Sequence, residues 1–404
     1  MNRYGLIGEQ LGHSFSPQIH ALLGEYPYGL YPLPPDDLPA FVQAGDLAGY
    51  NVTIPYKQAV IPFLQQLSDV ARRTGSVNTV TRLPDGALKG DNTDYAGFRL
   101  MLGDAQHVRG RKALVLGSGG AAATVRAVLQ DAGLTPVTIS RSGPDNYQNL
   151  HRHRDAAVIV NATPVGMYPR HDQQPLSLEG FAHCALVLDL IYNPARTLLL
   201  LEAEERGIEC RNGLSMLVGQ AWQASRLWGQ CHQGEEAIAP IVQRIARDTR
   251  NIALIGMPGC GKTTVGKHLA ALTGRPLLDT DALIVEQAGL PIPQIFADQG
   301  EAAFRALETE ALARAAGQSG AIIATGGGIV TQSRNLPLLR QNSLIIWLDR
   351  PLDLLKVDGR PLSQSRGVEA LFAERAPLYR RWADHLYHNE DSAATAARIR
   401  EEHL

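Results

Sequence analysis

The chain of 404 residues has no long basic run. Its 38 Lys and Arg against 40 Asp and Glu leave a formal net charge of -2. That balance argues against nucleic acid or an anionic membrane surface as a main partner, because both select for clustered positive charge. Cysteine is sparse: Cys184, Cys210, Cys231 and Cys260 are scattered, with no CxxC pair. The spacing carries no zinc signature and fits a reducing compartment. No apolar run is long enough to span a membrane, and MNRYGLIGEQ at the start has no signal-peptide core, so a soluble cytoplasmic protein is expected. A Gly/Ser- or Pro-rich linker, an internal repeat and a low-complexity tract are also missing. Apolar residues make up 45% of the chain, enough for a sizeable core. The length predicts two or three domains.

Short apolar runs alternate with helical patterns, which predicts an α/β fold with parallel sheets. YGLIG (4–8) and YNVTIP (50–55) read as strands. SPQIHALLGEY reads as a helix with a serine N-cap and proline at N1, and KQAVIPFLQQL as a helix after the second strand. KALVLGSGGAAATVRAVLQDAG is strand, glycine turn and helix, followed by the strands PVTIS, AAVIVNATP and ALVLDLIY. LSMLVGQAWQASRLW is an amphipathic helix. NIALIG at 251 restarts the strand pattern, followed by the helix GKTTVGKHLAALTG and the strands AIIATGGG and SLIIWLD. The junction between halves falls near Asp248-Thr249-Arg250, where EEAIAPIVQRIARDTR should run as a helix almost directly into the second half.

GSGGAA follows a strand and opens a helix, as G-x-G-x-x-A requires. Gly117 permits the tight turn, Gly119 lets backbone approach a pyrophosphate, and Ala122 allows close helix packing. The expected cofactor contacts here are Gly117, Ser118, Gly119, Gly120 and Ala121. The next strand ends in Ser140, Arg141 and Ser142, where an NAD site usually has an acid. An arginine flanked by hydroxyls suits a 2′-phosphate, so the reading is NADP(H); the alternative is a solvated loop arginine.

Before this loop stand HSFSP, NVTIPYK, GSVNT and GDNTD. Two serines at a helix start can hold a carboxylate. A lysine beside a carboxylate can give a proton to a carbonyl being reduced. Singly, Lys57 reads as a surface lysine and Asp94 as a helix cap. Together the motifs resemble shikimate dehydrogenase over residues 1 to about 248. The resemblance implies reversible NADPH-dependent reduction of 3-dehydroshikimate, with Lys57 and Asp94 as the catalytic pair. It places Ser14 and Ser16 on the substrate carboxylate and Thr53, Asn78, Asp94, Tyr192 and Gln220 on the substrate. Leu190 and Gly213 would line the nicotinamide pocket. Two departures stand out. Too few residues separate Arg141 from AAVIVNATP for a helix plus a strand, so the cofactor domain is trimmed there. A second arginine that some relatives place just after the SRS position is absent.

Residues 256–263, GMPGCGKT, match G-x-x-x-x-G-K-[ST] in full, between a strand and a helix. Backbone N–H groups of Gly259, Cys260 and Gly261 would cradle phosphate, with Thr264 next to them. Lys262 would reach the β/γ-phosphates and Thr263 would offer a hydroxyl to Mg²⁺. In LLDTDALI, Asp279 can act on hydrated Mg²⁺ and Asp281 can hold the attacking hydroxyl. Taken with GEAAFRALE, ATGGGIV, GRPL and ERAPLYRR, the set is similar to shikimate kinase over residues 251 to about 390. That similarity implies shikimate binding by Asp281, Arg305, Gly327 and Arg375, with Glu308 orienting Arg305. Arg360 would sit on the lid over ATP and stabilise the transferring phosphoryl group. Few residues separate Lys356 from Arg360, so the lid is expected to be short.

The combined expectation is a bifunctional enzyme using NADP(H), ATP and Mg²⁺ on small-molecule substrates, with oligomeric state left open. The divisions are a substrate domain (1–105), a Rossmann-like NADP domain (106–212), returning helices (213–248) and a P-loop kinase domain with a parallel sheet (251–404). The rivals are a quinate/shikimate dehydrogenase joined to a different small-metabolite kinase, and a metabolite-sensing regulator without turnover. Arg141 and the DTD and RxPLY motifs weigh against the first. The presence of Lys57, Asp94, Lys262 and Asp281 weighs against the second.

Overall fold

The computed structural model describes residues 2–12, 14–355 and 367–404. By its contacts the chain divides into two units, Met1–Tyr192 with Thr197–Ile245, and Asn193–Arg196 with Ala246–Leu404.

The first unit holds two sheets. One contains β1 (Tyr4–Gly8), β2 (Tyr28–Pro32), β3 (Gly49–Val52), β4 (Gln66–Leu67), β5 (Thr79–Arg82) and β6 (Leu88–Asp91), in the order β2-β1-β3-β5-β6-β4. β1 runs parallel to β2 and β3, whereas β5 is antiparallel to both β3 and β6. The sheet is therefore mixed, whereas the sequence pattern predicts a parallel one. The reason is local: only residues 83–87 join β5 to β6, with Gly86 at φ 86, and so short a turn can join only antiparallel strands.

This part of the chain carries α1 (Ser16–Leu23), α2 (Leu38–Ala44), α3 (Tyr56–Ala59), α4 (Asp69–Thr74) and α5 (Asp94–Leu102). Two helix expectations need correction. The residue capping α1 is Phe15, no side chain makes the cap, and Ser16 is already inside the helix. KQAVIPFLQQL is not one helix. Four residues form α3, then Ile61–Phe63 makes a 3₁₀ turn and the chain extends into β4. Pro62 has no N–H to donate, so the helix cannot continue through it.

The second sheet has β7 (Lys112–Leu116), β8 (Thr135–Ile139), β9 (Val158–Asn161), β10 (Leu186–Asp189) and β11 (Glu209–Asn212), all parallel, in the order β11-β10-β9-β7-β8. Around it lie α6 (Gly120–Asp131) and α7 (Leu198–Glu205); α8 (Leu214–Leu227) packs on α5 and α1, and α9 (Ile238–Thr249) follows. Between β8 and β9 there is only the 3₁₀ turn Leu150–His153, as the short spacing implied. α5 and α8 pack almost backbone to backbone. A Cβ on Gly97 would lie 2.4 Å from the Met216 carbonyl, and one on Gly219 would lie 2.6 Å from Leu100 Cδ1. That contact fastens the helix carrying Asp94 to the helix carrying Gln220.

The second unit has one parallel sheet, ordered β13-β14-β12-β15-β16. Its strands are β12 (Asn251–Ile255), β13 (Leu277–Asp279), β14 (Ile322–Ala324), β15 (Ser343–Asp349) and β16 (His385–His388). Its helices include α10 (Lys262–Thr273), α11 (Thr280–Ala288), α12 (Ile292–Ala316), α13 (Asn335–Arg340), α14 (Val368–Trp382) and α15 (Ser392–His403). Ile252 to Ile255 and Ile345 to Leu348 are buried with Val265, Leu269, Leu371 and Tyr379 in one core. Both faces of the sheet are covered, which is why its strands read as unbroken apolar runs. β12 is central, so the loop that follows it opens at the carboxyl ends of the strands, where such sheets bind ligands. Among the described residues no helix is long and apolar enough to cross a membrane.

Candidate active sites

Lys57 lies in α3 and Asp94 opens α5, and the fold brings them together: Lys57 Nζ is 2.6 Å from Asp94 Oδ2. The lysine side chain is 19% exposed and the aspartate 8%, so the pair is sheltered but reachable. Asn78 Nδ2 donates to the other oxygen, Asp94 Oδ1, at 2.9 Å, and lies 3.4 Å from Gln220 Oε1. Asn78 Oδ1 in turn accepts from the Thr93 N–H at 2.7 Å. The carboxylate is thus aimed by an amide that the GDNTD turn itself holds.

A chain of polar contacts continues away from the pair. Asn51 Nδ2 donates to Thr79 Oγ1 at 3.1 Å, and Asn51 Oδ1 accepts from Tyr28 Oη at 2.8 Å. Burial raises the Tyr28 phenol well above its usual pKa, partly offset by a hydrogen bond with Ser16. Ser16 meets Ser14 across 3.1 Å between hydroxyls. Tyr192 packs against Phe15, between the two serines, with ring centroids 5.2 Å apart. Thr53 leaves the end of β3, its N–H on the Ile7 carbonyl at 2.9 Å.

The glycine loop between β7 and α6 lies on the other side of Lys57. A Cβ on Gly120 would sit 2.7 Å from Ser76 Oγ and 3.9 Å from Lys57 Cβ, so the first turn of α6 abuts the lysine. Gly117 has φ 109, a left-handed conformation that glycine takes without strain, and Gly119 has open space over its Cα. Together with Ser118 and Ala121, that opening at a helix N-terminus fits a pyrophosphate. Ser140, Arg141 and Ser142 follow β8, and Arg141 is exposed. Leu190 and Gly213 touch: a Cβ on Gly213 would be 2.0 Å from the Leu190 carbonyl oxygen.

Residues 256–261 form a loop that only glycine satisfies at several points. Gly256, Gly259 and Gly261 have φ 142, 86 and 99. A Cβ on Gly256 would lie 2.3 Å from the Leu348 carbonyl, and one on Gly261 2.3 Å from Asn389 Nδ2. Asn389 also donates to the Cys260 carbonyl at 2.6 Å, so β16's end holds the loop. Lys262 Nζ donates to the Gly256 and Met257 carbonyls at 2.8 and 3.0 Å, while Thr263 and Thr264 stand exposed in the first turn of α10. Thr263 Oγ1 donates to Asp279 Oδ2 at 2.7 Å, and Asp279 Oδ1 caps α11 through the N–H groups of Asp281 and Ala282. A hydroxyl and a carboxylate meeting beside a phosphate loop is the donor set that hydrated Mg²⁺ takes.

Deeper in the same unit, Arg305 Nη1 is 2.7 Å from Glu308 Oε2. Burial pushes the Glu308 carboxyl up, against the field of Arg305. Asp281 and Glu308 converge on Gly326, where a Cβ would lie 2.9 Å from Asp281 Oδ1 and 2.6 Å from Glu308 Oε1. Gly327 packs against Pro258 of the phosphate loop, a Cβ there being 2.6 Å from the ring. Arg375 Nη1 and Tyr379 Oη both donate to the Gly327 carbonyl. Arg375 Nε is buried with no hydrogen-bond partner. A guanidinium N–H left unmatched in this way fits an incoming carboxylate. Arg360 and Lys356 lie outside the described residues.

The sequence reading does not single out Asn161, Asp189, Thr197, Tyr28 or Asn389. Asp189 is fully buried at the end of β10 and accepts from Asn161 Nδ2, the Ile191 N–H and Thr197 Oγ1 at 3.0, 3.1 and 2.7 Å. Burial raises its pKa to about 6 despite these donors. Its only trace in the sequence is an acid inside the apolar run ALVLDLIY.

A family model for the shikimate dehydrogenase substrate binding domain matches residues 6–80, and one for shikimate kinase matches residues 258–403. The shikimate dehydrogenase (NADP(+)) of Clostridium beijerinckii is 37% identical over 253 residues, which are 57% of this chain and 93% of that protein. That of Oleidesulfovibrio alaskensis is 40% identical over 249 residues, 56% of this chain and 88% of that protein. Among solved structures, a shikimate 5-dehydrogenase from Thermus thermophilus in complex with NADP(H) and shikimate aligns with TM-score 0.55 at 33% identity, covering 60% of this chain and 99% of that one. A chorismate mutase/shikimate 5-dehydrogenase fusion protein from Clostridium acetobutylicum aligns with TM-score 0.56 at 35% identity, over 60% and 97%. The chain belongs to the shikimate dehydrogenase family over its N-terminal part and is joined to a shikimate kinase family domain.

Proposed function

We propose that this chain catalyses two successive reactions, reduction of 3-dehydroshikimate to shikimate with NADPH, then phosphorylation of shikimate to shikimate 3-phosphate with Mg-ATP. The observation that carries the reading is the 2.6 Å Lys57–Asp94 pair beside the first turn of α6, in a chain that also holds a complete phosphate loop.

NADPH, when bound, supplies the hydride. Lys57 donates the proton that the new alkoxide oxygen requires, and Asp94 holds the ammonium in place. Asn78 fixes Asp94, so the pair keeps its geometry without substrate. Ser14 and Ser16 receive the substrate carboxylate, and Thr53, Tyr192 and Gln220 line the ring. Gly117 to Ala121 take the pyrophosphate, with Ser140, Arg141 and Ser142 on the 2′-phosphate and Leu190 and Gly213 at the nicotinamide.

In the second unit, ATP with its metal supplies the phosphoryl group. Gly259 to Thr264 hold its phosphates, Lys262 and Arg360 neutralise developing charge, and Thr263 and Asp279 orient the metal's water shell. Asp281 positions the acceptor hydroxyl. Arg305, Arg375 and Gly327 hold the acceptor, with its carboxylate on the arginines.

The test supplies the purified chain with 3-dehydroshikimate and NADPH, then adds Mg-ATP. NADPH oxidation before ATP, followed by ADP release and a phosphorylated product, is expected. No NADPH oxidation would overturn the first half, and no ADP release with added shikimate would overturn the second.

A further inference from the structure

The second unit contains a cavity of about 540 Å³ lined by Glu301, Ala302, Arg305, Gln332, Ser333 and Arg334. Arg305 reaches it with a guanidinium already divided between two carboxylates. Nη1 is 2.7 Å from Glu308 and Nη2 is 3.1 Å from Glu301. The two partners differ in standing. Glu308 is 1% exposed and pressed against Gly326, whereas Glu301 is 51% exposed. Glu301 is also the first residue after Gly300, whose φ of 79 and ψ of 174 break α12, so it begins a fresh helical segment at the cavity edge.

Arg305 with Glu301 and Glu308 has one positive charge against two negative ones. Arg375 and Asp281, whose charges also act on Glu308, offset each other, and Arg334, the other cation lining the cavity, brings the set to neutrality. An acid entering the cavity therefore meets no net attraction while Glu301 stays on Arg305. Once Glu301 leaves, the guanidiniums of Arg305, Arg375 and Arg334 face the carboxylates of Glu308 and Asp281, and the set attracts an anion.

We infer that Glu301 is a competing carboxylate: it holds the Nη2 edge of Arg305 that the acceptor's carboxylate takes, and its displacement sets the affinity of the kinase site for an acid. This rests on the reading that Arg305 receives the carboxylate of shikimate. Glu308 cannot play the part, because it has no solvent to move into.

The test uses the full chain and Glu301→Gln, which keeps size and an acceptor oxygen but removes the charge. KM for shikimate is expected to fall about two- to fivefold, the scale of one half-exposed ion pair. The effect falls on KM rather than kcat, and the gain shrinks as salt rises. With the neutral methyl ester of shikimate as acceptor, the substitution leaves KM where it was. Glu301→Ala should move KM for the acid in the same direction. A rise or no change in KM for the acid, or an equal fall for acid and ester, overturns the inference while leaving shikimate phosphorylation standing. Absence of shikimate phosphorylation by the unsubstituted chain would remove the underlying reading and this inference with it.

Discussion

Replacing Asp189 by Asn should stabilise the first unit at alkaline pH and leave it nearly unchanged in acid. Asp189 is fully buried, and burial raises its pKa to about 6. An unfolded aspartate titrates near ~3.9, so folding shifts it by about two units, worth ~3 kcal/mol. The sign follows from which form the folded state favours. The folded protein binds this proton more tightly, so the contribution is full below about pH 4 and is lost as pH rises through about 6. Above that, the native chain carries the cost of a buried charge. Asn mimics the protonated acid. Its oxygen can keep the donors Asn161 Nδ2 and Ile191 N–H, now on Asp189 Oδ1, and its amide can donate to Thr197 Oγ1, which now gives a proton to Oδ2. Urea unfolding of the full chain, with the first unit followed by pulse proteolysis, should show the variant ahead by up to ~3 kcal/mol near pH 8 and level with the parent near pH 4. An advantage of the same size at both pH values, or a loss at pH 8, would refute the argument that an ionised, desolvated carboxylate is what costs stability here.

Lys57→Ala should abolish NADPH oxidation while ADP formation from added shikimate continues, and Lys262→Ala should do the reverse. Loss of both activities from either change in a folded chain would refute two separate sites. Gly213→Ala places a methyl 2.0 Å from the Leu190 carbonyl, backbone against backbone, so relief requires moving β10's end or α8. It should cost ~1–3 kcal/mol and raise KM for NADPH several-fold, read by thermal unfolding and initial rates; unchanged values for both would count against Leu190 and Gly213 lining the nicotinamide site.

Much of the architecture can be read from residue order. The second unit's parallel sheet follows from buried apolar runs such as NIALI and SLIIWLD separated by helices, and the trimmed β8–β9 connection follows from its length. The mixed first sheet is not legible in this way, because the alternation of strand and helix carries no strand direction. Only the short turn at Gly86 decides that β5 and β6 oppose each other. Phe15 rather than Ser16 caps α1, because the Phe15 carbonyl already accepts the first helical bond, from the Ile19 N–H at 3.1 Å, a choice the residue order does not reveal.

The sequence by itself determined the two loops and their chemistry. A glycine with no Cβ, or a lysine and threonine following GxxxxG, can be recognised from spacing alone, since each loop is built from consecutive residues. Tertiary structure decided the rest. Lys57 and Asp94 are 37 positions apart and reach 2.6 Å only because β3 and β6, which lead into α3 and α5, flank β5 in one sheet. Asp189 became a buried acid only when β10, β9 and the start of α7 closed over it. Glu301 became a rival for Arg305 only through the bend at Gly300 and the burial of Glu308. Contacts of that kind depend on desolvation and on the meeting of distant segments, and neither is written in the spacing of neighbouring residues.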